Sequence, residues 1–366
     1  MADTRLFMLV PSVTSAFGEQ VEVLVAHLRD SGIRVFLAVP THYHDLRPRH
    51  PDDWVFETKG SKGVTLSRLL SPTMLWSLLR HLLSVRPDCV YIYCGEAYPP
   101  SVLLLFACWL LEIKCVLSIH DAAPHPGKMV DWAYEKLRLW FLYLPNVLHT
   151  FSQHGCDALR RRYPRKEIVE SPLLDLTELY FRYPVVESGN EKAILCFGRI
   201  EPYKDIPCVV AAFKQLLKDC PDATLRIVGK NGLGSHLFSI TRDVPNCKVV
   251  EEFQPPRALA AELSRAHACI FAYSEASHTG GAELALGFGC NVVATTVAAF
   301  RGLAGRAGVF LFEPGDAFAC ARSLRGALEV PKRSRDPGAL RHIQELNRDR
   351  ALRFVDRALF APHVPQ

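Results

Sequence analysis

Short apolar runs alternate with amphipathic stretches along most of this chain. The run "RLFMLVPS" stops at a loop, "EQVEVLVAHLRDSG" spaces its apolar residues at helical intervals, and "IRVFLAVP" is apolar again. Unbroken apolar runs of this kind suit strands covered on both faces, and strand, helix, strand is the repeating unit of a parallel sheet. The same order returns in "DCVYIYCG", a helix beginning near Ser101, and "KCVLSIHD". This first series predicts an open α/β domain of about 175 residues.

A second series opens with "KAILCFGRI" and the helical "IPCVVAAFKQLLKDC". It continues through the strand-like "ATLRIVGKNG", "CKVVEEF" and "ACIFAYSE", with "LAAELSRA" as a helix before the last of these, and then "NVVATTV" and "GVFLFEPG". Between the two series lies "LLDLTELYFRYPVVESGNEK", which has little periodicity, so the boundary is placed near Val185 to Lys192. The fold class expected is α/β, with two Rossmann-like domains over residues 1–185 and 190–366 facing each other across a linker. The last helix is a candidate to cross back to the first domain.

Composition supports this division. A chain of 366 residues, 49% apolar and 22% charged, is long enough to bury two cores. The formal charge of +5 is small and the acids and bases are interspersed, which argues against non-specific nucleic-acid binding. The strongest basic patch, "RRRYPRK" from Arg160 to Lys166, reads either as a solvated helix end or as a contact for a membrane surface or an anionic substrate. Twelve cysteines are scattered with no CxxC pair, most inside apolar runs, and so predict buried reduced thiols rather than a zinc site or a disulfide framework. The N-terminus lacks the basic start and long apolar core of a signal peptide, and "SVLLLFACWLL" falls short of the roughly 20 residues of a membrane span. A cytoplasmic protein is expected, with peripheral contact at the inner face of the membrane as an added possibility raised by the basic patch and by Trp132, Trp140, Phe141 and Tyr143.

In open parallel sheets ligands bind beyond the carboxyl ends of the strands. Most of the polar and glycine punctuation of this chain falls there, in "PSVTSAFGEQ", "YCGEAYPP", "SIHDAAPH", "FGRIEPYKD", "VGKNGLG" and "YSEASHTGG". These segments resemble family 4 of the glycosyltransferases, the retaining group with the GT-B fold of two facing Rossmann-like domains. The resemblance is carried by "FGRIEPYKDIPCVVAAFKQLLKDCPDATLRIVG" and by "AYSEASHTGGAELALGFGCNVVAT", and extends over essentially the whole chain.

The resemblance implies a nucleoside diphosphate sugar as donor and no cofactor. Arg199 and Lys204 follow the first strand of the second domain, where two cations and a helix N-terminus suit a diphosphate; the alternative is a surface pair with Glu201 and Asp205. The family has glycine where this chain has Asp205. Gly229, in the glycine-bearing strand end "VGKNGLG", is a candidate for close approach of backbone to the nucleotide. Glu275 and Glu283 reproduce the family's spacing of two acids, yet counting back from Gly289 puts Leu284 in the register of the second. Glu275 is read as a contact for the donor sugar, and Glu283 either as a ribose contact or as an acid favoured at a helix N-terminus. Thr279, Gly280 and Gly281 are expected to offer backbone N–H groups to the phosphates.

In the first domain His120 matches the family's strand-end histidine beside the transferred sugar, with Asp121 next to it. Gly18 matches the glycine-rich first loop, in which the family's paired glycines are here Phe17 and Gly18, and Glu96 is an acceptor-side candidate. No DxD stands at a strand end, so no metal is expected. The reading is a retaining hexosyltransferase acting on a glycan or lipid-linked saccharide, in surface polysaccharide biosynthesis. A sugar-nucleotide epimerase on the same fold and a non-catalytic sugar-nucleotide-binding subunit are the alternatives.

Overall fold

The computed structural model describes residues 4–360 apart from 14–15, 46, 59–61, 96–97, 121–140, 185–191, 277–279 and 336. The chain forms two compact units, Met1–Leu174 with Glu345–Gln366, and Asp175–Gln344. The stretch from Val185 to Glu191, where the sequence places the domain boundary, lies outside the described residues.

In the first unit, β1 (Arg5–Leu9), β2 (Arg34–Pro40), β3 (Trp54–Phe56), β4 (Cys89–Ile92), β5 (Lys114–Ile119), β6 (Val147–Thr150) and β7 (Glu167–Glu170) build a sheet in the order β3-β2-β1-β4-β5-β6-β7. Every pairing is parallel. Leu6, Phe7, Met8 and Leu9 of β1 are all fully buried, as a central strand covered on both faces requires. The chain steps from β1 outward to β3, then crosses back to β4 and continues to β7. With right-handed crossovers, the helix Ala16–Asp30 covers one face, and the helices Pro72–Val85, Pro99–Leu111 and Gln153–Arg162 cover the other. Leu78, Leu82, Leu104, Leu105 and Leu159 from those three helices share one core with Phe7, Leu9, Val90 and Leu117.

The opposite face is closed by the helix Ala16–Asp30 and by the end of the helix Pro337–Phe354, whose Phe354 ring lies 5.0 Å from Tyr91 and 4.6 Å from His149. In the second unit, β8 (Ala193–Phe197), β9 (Thr224–Val228), β10 (Cys247–Val250), β11 (Ala268–Phe271), β12 (Asn291–Thr295) and β13 (Val309–Phe312) follow the order β10-β9-β8-β11-β12-β13, again all parallel. Both sheets therefore reverse direction at their first strand, beside β1 and beside β8, and such switch points leave a crevice at the carboxyl ends. All twelve cysteines are free thiols and nine are buried. Among the described residues, no helix is long and apolar enough to cross a membrane.

Candidate functional site

Three adjacent strand ends, those of β9, β8 and β11, carry the candidates of the second unit. After β8 the chain turns through Gly198, at φ +92°, into the exposed Arg199. The end of β9 presses against that turn: Gly229 sits at φ +148°, and a Cβ there would drive into the Gly198 carbonyl. Glycine is required at Gly229 for this approach, which leaves the backbones of two strand ends in contact.

Lys204 ends a 3-10 turn, Pro202–Lys204, and is 4% exposed. Its Nζ donates to the Phe197 carbonyl at 2.6 Å and stands 5.3 Å from the centre of the Tyr273 ring. Burial holds this ammonium below the usual lysine range, Cys196 and Glu201 pull it up, and Arg199 pushes it down. The surface pairing considered from sequence is not what forms: Lys204 bonds a strand-end carbonyl, and Asp205 turns to the next helix. Asp205 has φ 43° and accepts from the Cys208 N–H at 3.2 Å, capping the helix Ile206–Leu216. A left-handed conformation explains why glycine suits this position, and the cap explains what aspartate adds. Replacing Asp205 with alanine should cost about 1 kcal/mol through the lost cap and the strained φ, whereas glycine should stay within a few tenths; thermal melting of the two variants measures the difference.

The loop after β11 is tied to the lysine turn. The Ser274 N–H and hydroxyl both donate to the Tyr203 carbonyl, at 2.7 and 3.2 Å, and the rings of Tyr203 and Tyr273 meet edge-on at 5.3 Å. Glu275, the next residue, is exposed. Arg199, Lys204, Gly229 and Glu275 thus belong to one patch of neighbouring strand ends. Thr279 lies outside the described residues, while Gly280 precedes and Gly281 opens the short helix Gly281–Gly287. Glu283 sits in the first turn of that helix and accepts from Arg306 at 2.7 Å, both groups nearly half exposed. Leu284 is buried in the core.

In the first unit His120 follows β5 and is exposed. Phe17 meets its imidazole edge-on at 4.9 Å, and Phe151 lies 6.2 Å away on the end of β6. Phe17 also meets Tyr93, at 6.1 Å. These aromatic neighbours are absent from the sequence-based set, since only the sheet order brings the ends of β1, β4, β5 and β6 together. Gly18 is buried in the first turn of the helix Ala16–Asp30, where a Cβ would come within 2.8 Å of Val13 and 3.3 Å of the Arg47 guanidinium. Glu96 and Asp121 lie outside the described residues. Among the described residues no group of three or more His, Cys, Asp or Glu is placed to hold a metal ion.

Comparison with known proteins fits this layout of strand ends. Residues 191–329 match the family model described as "Glycosyl transferases group 1", and residues 16–171 match "Glycosyl transferase 4-like domain". No curated protein sequence matches the chain. Among solved structures, sucrose-phosphate synthase from Thermosynechococcus elongatus is 16% identical, with 95% of this chain and 94% of that one covered and a TM-score of 0.63. A putative UDP-N-acetylglucosamine 2-epimerase from Listeria monocytogenes is 11% identical, with 97% and 96% covered and a TM-score of 0.66. Anabaena Alr3699/HepE, solved in complex with UDP and glucose, is 15% identical, with 97% and 95% covered and a TM-score of 0.64. At such identities the likeness establishes the fold alone.

Proposed function

Because the chain belongs to the GT-B glycosyltransferases of the group 1 and family 4 type, we propose that it moves a hexose from a nucleoside diphosphate sugar to a hydroxyl of a glycan or lipid-linked saccharide, with retention at the anomeric carbon, in the building of a surface polysaccharide. The observation that carries this reading is the convergence of Arg199, Lys204 and Glu275 on adjacent strand ends next to the Gly198 and Gly229 contact. Transfer of this kind must stabilise a departing diphosphate and an oxocarbenium-like sugar. Arg199 and Lys204 serve the first need, aided by backbone N–H groups at Thr279, Gly280 and Gly281. Gly229 admits the nucleotide to the backbone. Glu275 touches the transferred sugar, Glu283 the ribose, and His120 bonds hydroxyls of the transferred sugar, with Gly18, Glu96 and Asp121 toward the acceptor. The Anabaena Alr3699/HepE structure in complex with UDP and glucose, on the same fold, supports a nucleotide-sugar as donor.

The donor is tested by thermal shift against UDP, GDP and their sugars, where a ligand at 100 times its dissociation constant stabilises by about 2.7 kcal/mol. No stabilisation by any nucleoside diphosphate rejects the reading. The occurrence of 2-epimerases on this fold favours a second one, interconversion of sugar-nucleotides; isomerisation of the donor in the absence of acceptor identifies it.

The two acids separate by kinetics. Glu275→Gln should cut turnover and leave nucleoside diphosphate affinity unchanged, because the diphosphate has no sugar for it to touch. Glu283→Gln should weaken the bare nucleotide, since a ribose contact outlasts the sugar. A change below a few tenths of a kcal/mol for Glu283→Gln in nucleotide titrations would leave it only the exposed pair with Arg306.

A further inference from the structure

The helices that cover one face of the first unit's sheet are apolar and aromatic on their outer sides. On Pro72–Val85, Leu78, Leu82 and Val85 enter the core, yet Trp76 is 65% exposed and Leu83, two turns on, is also exposed, with Arg80 exposed between them. On Pro99–Leu111, Leu104, Leu105 and Cys108 are buried while Phe106, Trp109 and Leu110 are exposed, Trp109 by 65% and Leu110 by 74%. The two helices pack on each other and share one core, so these side chains lie on one side of the unit. The surface continues through aromatic contacts. Phe106 meets Phe141, and the exposed Tyr143 meets Tyr163 edge-on at 5.3 Å. Tyr163 ends the helix Gln153–Arg162, whose last turn exposes Arg160, Arg161 and Arg162.

Four exposed cations lie on these elements, Arg80 on Pro72–Val85 and Arg160, Arg161 and Arg162 at the end of Gln153–Arg162, where Arg160 is 3.9 Å from Asp157. Tryptophan and tyrosine favour the level of lipid headgroups, and arginine is drawn to the negative surface of an anionic leaflet. A second copy of this chain is a poorer occupant, because a two-fold contact would set one basic cluster against its own image.

We propose that this face docks the protein on an anionic phospholipid bilayer, with Trp76, Phe106, Trp109 and Leu110 at headgroup depth and Arg80 and Arg160 to Arg162 against lipid phosphates. The proposal rests on the first unit alone and stands apart from the sugar-transfer reading.

Co-sedimentation of the full chain with vesicles of phosphatidylcholine, with and without about one quarter phosphatidylglycerol, tests it. Wild type should bind the anionic vesicles preferentially and release as salt is raised. The double variant Trp76→Glu, Trp109→Glu should partition about tenfold less or weaker still, with an unchanged circular dichroism spectrum. Quenching of wild-type tryptophan fluorescence by brominated lipid reads insertion without any substitution, and should be seen only with the anionic vesicles. Wild type that ignores anionic vesicles and escapes quenching overturns the proposal. So does a wild-type dimer in light scattering that the double variant turns into a monomer while vesicle binding stays absent.

Discussion

Replacing Lys204 by methionine is expected to weaken nucleoside diphosphate binding by about 1.5–3 kcal/mol, the range for hydrogen bonds made by charged groups. Lys204 is already desolvated and fixed before any ligand arrives: its Nζ is held at 2.6 Å by the Phe197 carbonyl and lies over the Tyr273 ring. Burial lowers its pKa, and the cost of bringing the ammonium out of water is met in folding. A diphosphate at the strand ends of β8 and β9 would restore the charged form's favour, so binding should raise that pKa and be tighter at lower pH within the range where Lys204 titrates. Methionine keeps most of the stem and its packing on Tyr273 and removes the charge. Alanine removes both, and either change leaves the Phe197 carbonyl without this donor. The comparison therefore separates stability from recognition: both variants should lose the same affinity by calorimetry, while alanine should melt at the lower temperature. Wild-type affinity for UDP and GDP in the methionine variant would reject the phosphate assignment.

The main strands of both units are legible in the sequence because they are buried on both faces and read as unbroken apolar runs, as "RLFML" and "AILCF" do. Three strands of the first sheet are not. β3 is three residues long and mostly half-buried, and β6 and β7 are four each, "VLHT" and "EIVE", with polar residues that break the apolar run. Such strands are set by their neighbours in the sheet, not by local pattern. The helix Pro72–Val85 is equally hard to see, since its stripe is interrupted by the exposed Trp76, and of Gln153–Arg162 the sequence shows only the end, in the arginine run.

Within the site, the types of residue were legible and their partners were not. "FGRIEPYKD" announces two cations after a strand, yet nothing in it says that Lys204 is buried and Arg199 exposed. Sequence alone shows Asp205 in place of the family's glycine and does not show what its carboxylate binds. Its left-handed φ and its bond to the Cys208 N–H turn that side chain to a capping role. The ambiguity between Glu283 and Leu284 has a plain cause as well. Leu284 enters the core and Glu283 pairs with Arg306, 23 residues further on, a partner that spacing along one helix cannot supply. Phe17 and Phe151 come to His120 from separate segments of the chain, so these ring contacts are a property of sheet order.

Acid should destabilise the first unit through His149 before its carboxylates titrate. His149 is buried on β6, with Nδ1 3.1 Å from the Tyr91 hydroxyl and the rings of Phe151 and Phe354 at 4.8 and 4.6 Å. Burial among these rings pushes its pKa from 6.5 down to about 3, against a weaker upward pull from the Ser171 backbone. The folded state therefore keeps the imidazole neutral, while the unfolded chain takes up a proton below its ordinary value near 6.5. Stability tied to this residue is fully present above pH 6.5 and is lost as pH falls toward 3, because there the unfolded state binds the extra proton. At about 1.36 kcal/mol per unit, the loss is about 2 kcal/mol between pH 8 and pH 5 and about 4 kcal/mol by pH 3. His149→Gln keeps a polar partner for Tyr91 and cannot take the proton. Urea titrations at pH 8, 6.5 and 5 should then show wild type losing about 2 kcal/mol more than the variant over that interval, whatever the variant's stability at pH 8. Parallel curves for the two proteins would mean that His149 protonates in the folded state near its ordinary value, with the Tyr91 contact rearranged to admit the charge.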